Sequence, residues 1–317
     1  MTPVSRIIAA CLALVTLSTA CTGGEPPEPP EHPAISVGVA PTAAAAPFFL
    51  ARSEGYFAQE GLTVDVRIIA GGAVAIPELM GKSLDLAEAD YVSTLVAYEN
   101  DVPLEVVGEM YRAAPRAYGL VVPADSPVTE VAQLKGKVVG VNTLRSTATL
   151  AVTRRLAGVP ATFREKPYPE MTGALAHGKL DAALLAEPWL TNGLRSGALR
   201  QLGDPLTGPA AGLPMAGWMT TRDWRKTNPR TLDAFRRALA KAQHLAATDQ
   251  EKVRRVLPTY TKLDQGVTGE VTLGAYPTAT DAAALQRVAD LMLEEKYLNK
   301  PMDVRKLLSP ASGAGEA

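Results

Sequence analysis

Short apolar blocks alternate with longer amphipathic ones along this chain, the pattern of strands and helices taken in turn. AISVGVA, from Ala34, predicts a buried strand, and Pro41 and Thr42 after it read as turn and helix-start residues. A helix is expected from about Ala43 to Ser53, closed by Gly55. After a turn at Gly61, Leu62 to Ile69 alternates as a strand does. Gly71 and Gly72 precede AVAIPELM, a helix whose Pro77 fits only in a first turn. LDLAEAD is strand-like and stops at Asp90 and Tyr91.

The same order of events recurs roughly a hundred residues later. A strand is expected from Lys137 to Val141, a helix from near Ser146 to near Gly158, and a weaker strand from Thr162 to Lys166. A helix over PEMTGALAHG follows, then a strand in KLDAALLAEPW ending at Glu187 and Pro188. Gly81, Lys82, Leu84 and Asp85 correspond to Gly178, Lys179, Leu180 and Asp181, with Ser83 the one extra residue. Two related βαβαβ halves follow, an α/β chain whose lobes are each a doubly wound, mostly parallel sheet with flanking helices. Loops at the carboxyl ends of the strands then face any ligand. The apolar strands in 117–128 and 213–224 are placed to carry the chain between lobes. Residues 34–122 form lobe 1 in this reading, 123–214 form lobe 2, and 215–308 return to lobe 1. Thr231 and Thr280 are the expected caps of two late amphipathic helices, and 309–317 reads as a disordered tail.

Upstream the pattern changes. Arg6 precedes an apolar run from Ile7 to Leu17, then Ser18, Thr19, Ala20 and Cys21. The run is shorter than the roughly 20 apolar residues of a membrane span, so 1–20 reads as a secretory signal peptide. The Pro, Gly and Glu-rich stretch after Cys21, through residue 33, has little to bury and reads as a tether. A cysteine at the cut site followed by a tether resembles the lipobox of bacterial lipoproteins, which implies that Cys21 is lipidated and holds the protein on the outer face of the cytoplasmic membrane. Ser18 stands where a lipobox usually carries Leu, and Cys11, after Ile8, Ala9 and Ala10, would leave too short an apolar core. The alternative is simple cleavage near Ala20, with Cys21 a free thiol.

Composition narrows the function. The chain's two cysteines, one inside the signal, exclude a disulfide framework or a cysteine metal site in the mature protein. A formal charge of -1 points to no polyanionic partner, so nucleic acid is not expected. His32, His177 and His244 read as surface residues, and no nucleophile elbow, phosphate loop or metal-ligand spacing is present. Neither catalysis, a cofactor nor a metal is expected.

A cleft at strand ends collects helix N-termini, whose free N–H groups favour anions or polar oxygens. The candidates are Thr42, Ala43 and Ala44, then Gly72 and Ala73, then Ser146 and Thr147. Gly71 and Gly72 serve either close backbone approach or a turn; Ser146 and Thr147 either meet ligand or cap their own helix. Asp90 and Glu187, at equivalent strand ends, either face the cleft or cap and pair locally. Tyr91 and Trp218 are candidate walls or core residues. Arg112, Arg116 and Arg145 either meet an acidic ligand group or are solvated.

The pieces ARSEGYFAQEGLTVDV, GKSLDLAEAD, DSPVTEVAQLKGKVVGV, GKLDAALLAEPWL and YLNKPMDVRKLL, in this order, resemble the substrate-binding proteins of ABC importers for sulfonates, taurine, nitrate and thiamine precursors. The resemblance implies a two-lobed periplasmic binding protein fold of type II, closing on a small-molecule ligand as a hinge. It implies a monomer whose partners are a permease and its ATPase. It also favours ligand contact at Ser146 and Thr147 and a hinge or ligand role for Glu187 in its EPW phrase. The methyls of Ala43 to Ala46 depart from an anion-specific loop, so an amine-bearing or neutral heterocycle fits as readily as an anion. Some relatives on this fold are cytoplasmic enzymes of thiamine-pyrimidine or menaquinone synthesis; an export signal argues against that class. A sensory role for the same module stays open.

Overall fold

The computed structural model describes residues 28–310. Lobe 1 opens with β1 (Ala34–Val39), a 3-10 turn at Ala43–Ala45, α1 (Ala46–Ser53) and α2 (Tyr56–Gln59). It continues through β2 (Thr63–Ile68), α3 (Gly72–Met80), β3 (Leu86–Asp90), α4 (Tyr91–Glu99) and β4 (Leu104–Arg112). Lobe 2 holds β5 (Tyr118–Pro123), β6 (Val138–Val141), α5 (Thr147–Leu156), β7 (Thr162–Glu165), α6 (Tyr168–Ala176), β8 (Ala182–Ala186), α7 (Trp189–Arg195) and β9 (Leu199–Gly203). The return to lobe 1 brings β10 (Pro214–Thr221), α8 (Arg222–Thr227), α9 (Pro229–Thr248) and α10 (Gln250–Val256). Two single turns follow, α11 (Pro258–Thr261) and α12 (Gln265–Thr268), and then α13 (Ala282–Glu294).

The two sheets run β2-β1-β3-β10-β4 and β7-β6-β8-β5-β9. In each, three strands are parallel and the fourth, β10 or β5, runs against its neighbours. The inserted strand is in each case the one that follows a crossing between lobes. Because β5 pairs with β8 in the second sheet, the first crossing lies between Arg112 and Tyr118, ahead of the 123 boundary expected from sequence.

The repeated Gly-Lys-Leu-Asp phrases have one physical job. Asp85 accepts Ser36 N–H at 2.8 Å and Asp181 accepts Val138 N–H at 2.8 Å, tying the start of β3 to β1 and of β8 to β6. The leucine before each Asp packs on a strand glycine. A Cβ added to Gly38 would meet Leu84 Cδ1 at 2.6 Å, and one added to Gly140 would meet Leu180 Cδ1 at 2.5 Å. Glycine is therefore needed at both positions for close packing.

Lobe 1 is held by an aromatic cluster under its sheet. Phe48 lies 5.4 Å from Trp218, Trp218 5.5 Å from Phe235, and Phe235 5.7 Å from Phe57, which locks α1, α2 and α9 onto β10. Three local expectations are corrected. Pro77 lies inside α3 rather than in its first turn; the carbonyl its missing N–H would pair with belongs to Ala73, which is exposed and open to water. Helix α9 begins earlier than Thr231, with Asn228 before it and Pro229 in its first position, and Thr231 Oγ1 accepts His32 N–H at 2.9 Å. The cap of α13 is Asp281, whose carboxylate takes Ala283 and Ala284 N–H, while Thr280 accepts Glu109 N–H from β4.

The chain ends also differ from expectation. Glu31 accepts the N–H groups of Arg230 at 3.1 Å and Thr231 at 2.9 Å, and Arg230 pairs with Glu28, so residues 28–32 are fastened to the start of α9. At the other end Ser309 N–H reaches Val106 and Pro310 C=O accepts from Arg236. The signal, Cys21 and residues 311–317 lie outside the described residues. Among the described residues no helix is long and apolar enough to cross a membrane.

Truncating Trp218→Ala should lower the unfolding free energy by about 3–5 kcal/mol in chemical denaturation, the cost of a large core cavity. A loss below about 1 kcal/mol would show that the aromatic cluster is not tightly packed.

Candidate functional site

The carboxyl ends of β1 and β3 face those of β6 and β8 across a seam, and the loops that follow them supply both walls. Thr42, Gly71, Gly72, Glu88 and Asp90 line the lobe 1 side; Tyr118, Asn142, Ser146, Thr147 and Tyr168 line the lobe 2 side; Met215 and Ala216 close the hinge end. The space between is about 40 Å³, enough for a water molecule or two. A ligand of heterocycle size needs the lobes farther apart than they stand here. Larger hollows of about 300 and 340 Å³ lie on lobe 1 alone, away from the seam.

Asp90 holds the seam together. As the last residue of β3 it caps α4, its Oδ1 accepting Ser93 N–H at 3.0 Å and its Oδ2 accepting Ser93 Oγ–H at 2.6 Å. The same Oδ1 accepts Thr147 N–H at 3.0 Å from the first residue of α5, in the other lobe. Thr147 Oγ1 returns the contact by accepting Val92 N–H at 3.3 Å. One carboxylate thus sits where the positive ends of two helices converge, a seat that suits any anion. Gly72 makes room for it: a Cβ there would meet Asp90 N at 2.8 Å and Asp90 Oδ2 at 2.9 Å. At Gly71 a Cβ would press on Asn142 and Thr143 of lobe 2 at 3.0 and 3.2 Å, and its φ of 153° is one that side chains disfavour. Close approach, rather than a turn alone, explains the pair.

Glu88 is the site residue that sequence reasoning passed over. It lies two residues before Asp90 on β3, so the strand period turns both carboxylates to the seam. Its one hydrogen bond is from Ala40 N–H, 2.9 Å to Oε2. Burial raises its pKa to about 7, the Ala40 bond opposing and the Asp90 charge adding to the rise. Burial raises Asp90 as well, against the bonds from Ser93, Thr147 and Val92. Burial also pushes the phenols of Tyr118 and Tyr168 far up, so both stay protonated.

The predicted residues divide into two groups. Thr42, Ala44, Gly71, Gly72, Asp90, Ser146 and Thr147 come together around the seam cavity. Ser146 also caps α5, accepting Thr149 N–H at 3.1 Å. The others are placed elsewhere. Ala43 N–H donates to Glu187 C=O at 2.9 Å across the seam and Ala43 C=O accepts from Tyr276 Oη, so its backbone is spent on packing. Ala73 is exposed. Tyr91 is fully buried beside Gly217, its Oη unpartnered, and Trp218 belongs to the lobe 1 core. The Glu187 carboxylate accepts Thr191 N–H at 3.1 Å, Thr191 Oγ1–H at 2.8 Å and Thr272 N–H at 3.1 Å, capping α7 and tying it to lobe 1. Burial raises its pKa despite these bonds. The arginines also miss the cavity. Arg112 pairs with Glu109 and Asp281, Arg116 is exposed, and Arg145 donates to Tyr297 C=O at 2.9 Å. No Lys, Arg or His is among the residues lining the cavity. Among the described residues no group of three His, Cys, Asp or Glu could hold a metal ion.

Glu88 ionises near its ordinary 4.5 in the unfolded chain and near 7 in the fold, so its contribution to stability is complete below pH 4.5 and lost as the pH rises through 7. That loss is roughly 3 kcal/mol. Glu88→Gln should flatten this part of the urea-unfolding pH profile. An unchanged slope would place the titration on another group.

The comparisons with known proteins agree with this architecture. The alkanesulfonate-binding protein SsuA from Xanthomonas axonopodis pv. citri, solved bound to MOPS, superposes with a TM-score of 0.74 at 23% identity, over 88% of this chain and 99% of that one. The periplasmic nitrate-binding protein NrtA from Synechocystis PCC 6803 gives a TM-score of 0.73 at 16% identity, over 88% and 86%. The Candida albicans CA3427 gene product, described as having the generic periplasmic binding protein fold, gives 0.72 at 15% identity, over 90% and 100%. At these identities the likeness establishes the fold, two lobes of the periplasmic binding protein type. Among curated proteins none matches the sequence. A family model described as NMT1/THI5 like matches residues 42–253, more than half of the chain, and the protein therefore belongs to the NMT1/THI5-like family.

Proposed function

We propose that this protein is the solute-binding component of an ABC importer, capturing a small organic nutrient between its lobes and presenting it to a permease and its ATPase. The observation that carries this reading is the seam. Two lobes with matching sheet orders meet through strand-end loops, and Asp90 and Thr147 bridge them beside a cavity lined by polar groups. Such an arrangement can open about its crossings and close with the same contacts, as ligand capture needs. The SsuA and NrtA proteins, named as binders of sulfonate and nitrate, support the transport class, and the resemblance of the sequence to binding proteins for thiamine precursors keeps pyrimidine-type nutrients among the candidates. In this reading Thr42, Gly72, Asp90, Ser146 and Thr147 surround the ligand. Export by residues 1–20 and a lipid on Cys21 would keep the receptor, a monomer, beside its permease outside the cytoplasm.

A thermal-shift screen of sulfonates, taurine, nitrate, aromatic acids and aminopyrimidines tests the receptor reading. A true ligand at a hundredfold excess over its Kd should add about 2.7 kcal/mol to stability and raise the melting temperature. If no small molecule does so while a protein partner binds the unsupplemented chain tightly, the reading fails and the sensory alternative gains. Cys21→Ser should move the protein from the membrane fraction to the soluble exported fraction. Finding the wild type already soluble there would exclude the anchor.

A further inference from the structure

Building on the solute-binding reading, we infer that the seam recognises an organic cation, with Glu88 as its charge partner and Tyr118 and Tyr168 as its aromatic contacts. The two carboxylates that line the cavity are not equivalent. Asp90 is fully engaged by Ser93 and Thr147 and by the helix ends to which they belong. Both of its oxygens are hydrogen-bonded within the protein. Glu88 has only the Ala40 N–H, and no basic side chain among the residues lining the cavity. A buried carboxylate in that position is costly until something brings it a positive charge or further donors.

The same geometry works against an anion. The seat at the start of α5, where a sulfonate or nitrate would be drawn, holds the Asp90 carboxylate. A ligand anion would have to displace that carboxylate and then sit beside both Asp90 and Glu88, a like-charge arrangement. Lobe 2 instead offers two tyrosines that stay neutral, surfaces that attract ammonium and protonated heterocycles. Closing lobe 2 over a cation held by Glu88 would bring the tyrosines to it at the moment Thr147 reaches Asp90. Ligand binding and closure would then be one event.

The titratable groups around Glu88 are Asp90 on its own strand and Tyr118, Tyr168 and Tyr260 from the elements packed against it. The three phenols do not ionise near neutral pH, so cation affinity should follow the carboxylates and weaken as the pH falls through about 7.

The test is calorimetry and thermal shift on the mature chain with two matched libraries, small organic amines including aminopyrimidines and quaternary ammonium compounds, and small sulfonates, carboxylates and nitrate. Binding is expected in the amine library alone. Glu88→Gln should weaken each amine that binds by about tenfold or more. It should also abolish the fall in affinity below pH 7. Asp90→Asn should keep that pH dependence while weakening closure, read as a larger radius of gyration with ligand present. Binding of anions and not amines would overturn the cation assignment while leaving the receptor reading intact. Amines that bind the wild type and Glu88→Gln equally would remove Glu88 from the site. No binding in either library would overturn this inference, and the receptor reading would fall with it only if a protein partner bound the unsupplemented chain tightly.

Discussion

Asp90 and Glu187 each accept hydrogen bonds from both lobes, and Asp90 is the one that sets the geometry of the seam beside the cavity. Asp90 ends β3, caps α4 and takes the first N–H of α5 in lobe 2. A cap is worth about 1 kcal/mol, and a charged acceptor about twice a neutral one. That sum is the right size for a hinge: large enough to define the closed register and small enough that a ligand can shift the balance. The neighbouring choices follow from it. Gly72 has no side chain because Asp90 needs the space, and Gly71 has none because the β6–α5 loop comes too close. Val92 N–H and Thr147 Oγ1 complete the join.

Much of the fold was legible because local signals and tertiary packing agree. The repeated Gly-Lys-Leu-Asp phrases could be aligned by eye, and their leucines and aspartates make matching contacts in the two sheets. Cap positions were less legible. Thr231 and Thr280 have the right chemistry, but each hydroxyl is taken by a distant backbone N–H, His32 or Glu109, and the helices start elsewhere. Sequence could not sort the aromatics either. Trp218 and Tyr91 lie deep in lobe 1 while Tyr118 and Tyr168 line the seam, and burial favours an aromatic side chain equally in both settings. Glu88 could have been found. The alternation of LAEAD puts it on the side that Asp90 faces, but an acid inside an apolar strand draws less notice than one at its end.

The seam also separates fold from chemistry. Proteins that share this architecture are named for binding alkanesulfonate and nitrate, yet the cavity here is lined by two acids and no base. The sheets fix where loops converge; the few side chains on those loops decide which charge is welcome. Here one acid accepts hydrogen bonds from two helix ends and the other is left with a single backbone donor.

The clasp of residues 28–32 on α9 has a mechanical consequence. The stretch after Cys21 looks like a leash of a dozen residues, yet Glu28 and Glu31 already grip lobe 1. With a lipid on Cys21, as proposed, the span from Cys21 to Glu28 would reach at most about 25 Å fully drawn out. The clasp grips near the amino ends of β1 and β3, on the side of lobe 1 opposite the seam. A body moored there at Cys21 would pivot about its base on a short radius, with its mouth at the far end of the swing.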